Sequence, residues 1–205
     1  MGGLFAAVLF ALMPSVAGAA TLSVHGSVKQ VWAVGARPGE PLTLLDRRGR
    51  AVSRRVAGPL GGAVFRGVTP GRYRVRPAAR GVPASPSVTV LPDRSAPPTT
   101  RIYRQRIPRS GYGYLTVRDG IKLAVDVRLP AGPGPYPTVV EYSGYGYADP
   151  AGPQKGIAPI ANLLGFAVVD VNMRGTGCSG GAFSFFEPLQ NLDGYDVIET
   201  VAHQP

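Results

Sequence analysis

The chain has 205 residues, 44% of them hydrophobic, with 22 Lys+Arg against 12 Asp+Glu and a single cysteine. That hydrophobic share excludes wholesale disorder, and one cysteine excludes an intrachain disulfide. The 28 glycines and 21 prolines favour turns and short strands over long helices.

The first 20 residues form a unit of their own. Leu4 to Ala20 is almost wholly apolar and ends in Ala17-Gly18-Ala19-Ala20. An apolar run followed by small residues is the pattern of a signal peptide, so export to the outside of the cell is expected. Pro14 and the length of the run argue against a spanning helix. In an exported chain the lone Cys178 leaves two readings open: a partner outside residues 1–205, or a buried free thiol.

Charge divides the remainder. Residues 21–110 hold 17 Lys+Arg and 3 Asp+Glu; residues 111–205 hold 5 and 9. Two domains with different surfaces are expected. The first, residues 21–98, reads as a small Ig-like all-β sandwich. A loosely alternating strand covers Val28 to Val34. A second runs from Pro41 to Leu45 and ends in the turn Asp46-Arg47-Arg48-Gly49. Thr69-Pro70-Gly71 feeds the alternating strand Arg72 to Arg76, and Ser87 to Val90 forms another. The arginines fall in turns and alternate strand positions without interleaved aromatics, which argues for a solvated face and against nucleic acid as the partner. Contact with an anionic cell wall is a secondary expectation, because long-range attraction needs only net charge. His25 reads as a surface or hairpin residue. Pro92 to Ser110, with Pro97-Pro98, reads as an extended connection.

In the second half, Tyr114 to Val117 and Lys122 to Arg128 alternate and are joined by Arg118-Asp119-Gly120, where Asp-Gly suits the positive φ angles of a hairpin. Thr138 to Tyr142 is a third, mostly buried strand. Ile157, Ile160, Leu163 and Leu164 lie at helical spacing, with Pro159 in the first turn and Gly165 as the stop. Phe166 to Val171 is the near-continuous apolar run of a strand buried on both faces. Asp193 to His203 reads as a helix capped by Asp193, with Asp196 in its first turn.

This order fits many doubly wound folds. Specificity comes from Val117-Arg118-Asp119-Gly120-Ile121-Lys122-Leu123-Ala124, Tyr142-Ser143-Gly144-Tyr145, Asp170-Val171-Asn172-Met173-Arg174-Gly175-Thr176-Gly177-Cys178-Ser179-Gly180-Gly181 and Asp193-Gly194-Tyr195-Asp196. In these motifs residues 111–205 resemble the opening of the catalytic domain in the Xaa-prolyl dipeptidyl-peptidase and cocaine esterase family. The fold implied is an N-terminal all-β sandwich followed by the first part of an α/β-hydrolase, with an incomplete sheet. The activity implied is hydrolysis of a small ester or an Xaa-Pro peptide or amide through an acyl-serine.

Gly177-Cys178-Ser179-Gly180-Gly181 fits Gly-x-Ser-x-Gly, the pattern of a nucleophile elbow. An elbow, however, joins a strand directly to a helix, whereas several loop residues separate Ser179 from the apolar strand. The order Ser179, Asp193 or Asp196, His203 would leave no room for the intervening sheet elements. In the resembled family this loop follows the fourth strand and the nucleophile follows the fifth, so the chain is expected to stop before its nucleophile, acid and base and to be inactive alone. The resemblance carries over one catalytic residue, Tyr145, as an oxyanion-hole donor, with Tyr147 close enough to compete. Arg174 and Asp170 are expected to hold the loop through hydrogen bonds to backbone. Glu187, Asp193 and Asp196 are expected to serve helix capping and surface charge. The sequence offers no metal-ligand cluster and no cofactor motif. The rival expectation is a non-enzymatic exported binding protein that uses the basic β-domain.

Overall fold

The computed structural model describes residues 22–152 and 155–205, so the expected signal peptide lies outside the described residues. The first half holds seven strands: β1 Ser23–Ser27, β2 Gln30–Val34, β3 Pro41–Asp46, β4 Ala51–Val56, β5 Ala63–Arg66, β6 Gly71–Pro77 and β7 Val88–Val90. They form a three-stranded sheet in the order β1-β2-β5 and a four-stranded sheet in the order β4-β3-β6-β7. Val31, Leu42, Leu44, Phe65, Val75 and Val90 fill one core between them. Along β6 the alternation is complete: Tyr73, Val75 and Pro77 point inward while Arg72, Arg74 and Arg76 stay exposed. The two sheets come together tightly at Gly26, where a Cβ would stand 2.0 Å from the Thr89 carbonyl oxygen. Only glycine fits there.

Several expectations need correction. The strand from Val28 to Val34 is shorter, because Lys29 adopts φ +51 and turns β1 into β2. β4 and β5 are additional. β4 is exposed over almost its whole length, which removes the alternation that marks a strand. The segment Pro92 to Ser110 is mostly exposed as far as residue 101, but its later part is docked, with Tyr103 buried and Gln105, Ile107 and Pro108 half-buried. Thr100–Arg104 is a short 3-10 helix whose first turn is capped by the Thr99 hydroxyl, and Tyr103 is buried. Gln105 then mimics a strand residue, donating to the Thr116 carbonyl at 2.7 Å and accepting from the Thr116 N–H at 2.7 Å.

The second half contains β8 Gly111–Thr116, β9 Lys122–Arg128, β10 Thr138–Ser143, α1 Ala158–Leu163, β11 Ala167–Asn172 and α2 Pro188–Ala202. The sheet order is β10-β11-β9-β8, with β10 and β11 parallel and the other pairs antiparallel. β11 is buried at every residue, as its apolar run requires. At the β8–β9 turn only Gly120 takes a positive φ; Asp119 instead accepts from the Ile121 N–H.

Both helices depart from expectation. In α1 the buried residues are Ala158 and Ala161, which pack on Val168, while Ile160 and Leu163 face outward. Small side chains let this six-residue helix lie close to the sheet. α2 begins at Pro188, earlier than Asp193, because a proline at the first helical position lacks only an N–H that would be unpaired anyway. Asp193 and Asp196 therefore fall in the helix interior, on the face shared by Leu189, Leu192, Val197 and Thr200. Val28 and Leu91 of the first half pack against Leu189 and Leu192, so the two halves share apolar contacts.

Candidate functional site

The parallel strands β10 and β11 end side by side, and the loops that follow them are clamped together. Asn172, the last residue of β11, is fully buried. Its side chain accepts from the Ala148 N–H at 2.9 Å and donates to the Ala148 carbonyl at 2.8 Å. The Met173 N–H reaches the Ser143 carbonyl and carries the ladder one rung further. A Cβ on Gly177 would meet the Asn172 amide at 2.4 Å, and one on Gly175 would meet the Phe183 nitrogen at 2.2 Å. Both glycines also hold positive φ. The Gly-rich loop is thus tight because neighbouring groups pass where side chains would stand.

Tyr145 lies on the first of these loops. Its N–H donates to the Ser143 hydroxyl at 3.0 Å, which fixes the backbone, while its side chain is 83% exposed. Tyr147 is half-buried on the same loop, its ring 6.0 Å from that of Tyr145. The phenol that stands clear of the protein at the carboxyl end of the parallel strands is that of Tyr145.

Ser179 has a structural post. The β11–β9 ladder ends at Val171 and Val125. Beyond it, the Ser179 Oγ accepts from the Ala124 N–H at 2.8 Å and donates to the Asn172 carbonyl at 2.7 Å. The serine replaces the missing rung, and its one proton is committed. His203 is engaged elsewhere, donating from Nδ1 to the Glu199 carbonyl and packing on Tyr103. Ser179 therefore has no base within hydrogen-bond reach among the described residues.

The acids near this loop are consumed by two buried arginines, which corrects the expectation of capping and surface charge. Arg174 reaches Asp193 through Nε at 2.6 Å and Nη2 at 2.7 Å, and Asp119 through Nη1 at 3.0 Å. Its partners are carboxylates, not backbone. Asp119 also accepts from Ser27 of the first half at 2.5 Å. Burial works against the Arg174 charge, but the Asp193 and Asp119 carboxylates outweigh it and push its pKa up. Burial pushes Asp193 up to about 6 against the pull of Arg174. In the second cluster Asp196 accepts from the Arg118 backbone N–H, from Nε and Nη2 of the same residue, and from the Tyr103 hydroxyl. Glu187 is also inward, accepting from Gln30 at 2.5 Å with Arg66 at 3.7 Å. Spatial pairing of these acids is set by tertiary contacts, so the sequence carried only one hint of it: ionisable residues at the helical spacing of the apolar face.

Asp170 does not hold the loop. It faces Glu141 and Asp126, its neighbours on adjacent strands. Cys178 is exposed, which sets aside the buried-thiol reading of the two left open. His25 is exposed on β1, in line with the surface position expected of it, and stacks on Trp32 with ring centroids 4.0 Å apart.

Residues 119–205 match the family model described as X-Pro dipeptidyl-peptidase, S15 family. A solved structure of a CocE/NonD family hydrolase from Staphylococcus aureus is similar at 26% identity and a TM-score of 0.41, covering 46% of this chain and 20% of that one. No curated protein matches the chain. The resemblance carried by the sequence motifs thus stands for the second half.

Proposed function

We propose that residues 111–205, similar to the X-Pro dipeptidyl-peptidase family from residue 119 onward, form the front of the catalytic domain of an exported serine hydrolase. The substrate class is a small ester or an Xaa-Pro peptide or amide. Tyr145 is the oxyanion donor of this site. Nucleophile, acid and base would come from sequence outside these residues, and residues 1–205 alone would not turn over. What carries the reading is an exposed phenol on an anchored loop, at the carboxyl end of the parallel strands, in a segment that matches the family.

The chemistry follows from that position. A serine oxygen attacks the substrate carbonyl carbon, its proton passes to the base, and the carbonyl electron pair moves onto oxygen. The Tyr145 O–H donates to that oxyanion. Collapse expels the leaving group with the proton from the base, and water then hydrolyses the acyl-serine. A fixed donor of this kind lowers the barrier by on the order of 3 kcal/mol. β10 supports the arrangement: among the described residues it pairs only with β11, so its other edge is open to the strand that precedes a family nucleophile.

In the protein as its source produces it, Tyr145→Phe should lower turnover of an activated ester about 100-fold with folding intact. Unchanged turnover would reject the role.

A further inference from the structure

We propose that the outer face of the β4-β3-β6-β7 sheet binds a linear polyol-phosphate polymer, which deepens the expected anionic contact of the basic half and rests on that reading. Strand register assembles the face. Arg72, Arg74 and Arg76 project from β6 on the side away from the core. Arg76 stands opposite Thr43, and Thr43 stands opposite Arg54 of β4, so Arg54 joins the same face two strands away. All four arginines are exposed.

No carboxylate of this half is free to neutralise them. Residues 21–110 contain only Glu40, Asp46 and Asp93 as acids. Glu40 accepts from the Arg37 and Ala79 N–H groups, Asp46 is closed onto Arg50 within its own hairpin, and Asp93 pairs with Lys29. Among the described residues none of the four arginine side chains makes an ion pair or a hydrogen bond. The face therefore offers uncompensated guanidinium groups, which bind phosphate oxygens in a bidentate fork. Alternate residues on a strand are about 6.5–7 Å apart, so β6 presents its charges as an evenly spaced row suited to a repeating phosphodiester.

The face contains nothing that stacks on bases. Thr43, Leu45 and Thr89 lie between the arginines, and Tyr73, the one aromatic on these strands, points into the core. Single-stranded nucleic acid binders rely on such aromatic platforms. A polymer without bases fits this surface better.

The test is titration of the full chain with synthetic polyglycerol phosphate, beside an oligothymidylate of equal charge, over a range of salt. Binding should weaken with salt, with a log–log slope of about −2 to −3 for three or four neutralised charges. R72Q/R74Q/R76Q should lose at least about tenfold in affinity, whereas R101Q/R104Q/R109Q, which removes the same charge away from the face, should lose less than about threefold, taking the salt-dependent cost per contact as the guide. Equal losses in the two variants, tighter binding of the oligothymidylate, or no binding of polyglycerol phosphate would each overturn the proposal. None of these readouts depends on ester turnover, so the hydrolase reading stands or falls separately.

Discussion

Asp170→Asn should remove a pH dependence that the register of the second sheet builds in. Glu141, Asp170 and Asp126 stand opposite one another on β10, β11 and β9. Like charges directly opposite on a sheet repel. Arg128 pairs with Asp126, Tyr112 stands opposite Asp126 on β8, and α1, which packs on this face, has no ionisable side chain. One oxygen each of Asp126 and Asp170 is buried without a partner. Burial, reinforced by the Glu141 and Asp126 carboxylates, pushes Asp170 up from 3.8 to about 7. A displacement of that size corresponds to on the order of 4 kcal/mol over the whole titration before solvent screening lowers it, and only its last part falls above pH ~6. The folded state binds this proton more tightly than the unfolded chain. Its contribution is therefore complete below the unfolded value and is lost as pH rises through about 7. Between pH ~6 and ~8.5 the loss should be about 1 kcal/mol, or about 3 °C in Tm for a chain of this size. Asp170→Asn cannot ionise, so its Tm should stay level over that window and exceed wild type at the alkaline end. Thermal unfolding by circular dichroism across the window is the assay. Parallel profiles for the two proteins, or a wild type that gains stability with pH, would refute the argument.

Two further perturbations probe the packing. Arg174→Met leaves Asp119 and Asp193 buried without their cation and should cost about 3–5 kcal/mol in denaturant unfolding, with Arg174→Lys recovering only part because it cannot make the bidentate contact. A loss below about 1 kcal/mol would show that the cluster is solvated. Gly26→Ala places a Cβ against the Thr89 carbonyl and should cost about 1–3 kcal/mol, read from the urea midpoint; an unchanged midpoint would mean that β7 moves aside freely.

Elements whose burial is one-sided or complete were legible in the sequence. Arg72 to Arg76 alternates because one face meets the core, and Phe166 to Val171 is apolar because both faces are covered. Legibility failed where tertiary contact overrides local pattern. α1 has the right position, since Pro159 and Gly165 punctuate it, but the wrong face, since alanines alone let it approach the sheet. The start of α2 was hidden because Pro188 also reads as a breaker. Asp193 and Asp196 look like surface acids until Arg174 and Arg118 arrive from other elements. At the candidate site, the loop context of Ser179 already argued against an elbow, and its two hydrogen bonds supply the physical reason. Tyr145 was legible only through the resemblance, because a loop tyrosine has no periodicity to betray it.

The most direct test of the account is fluorophosphonate labelling of the protein as its source produces it, with the labelled peptide sequenced, in wild type and Ser179→Ala. A labelled serine other than Ser179, with undiminished labelling in the variant, is expected. Label on Ser179, or its loss in Ser179→Ala, would contradict the structural role given to that serine, and no label in either protein would contradict the hydrolase reading itself.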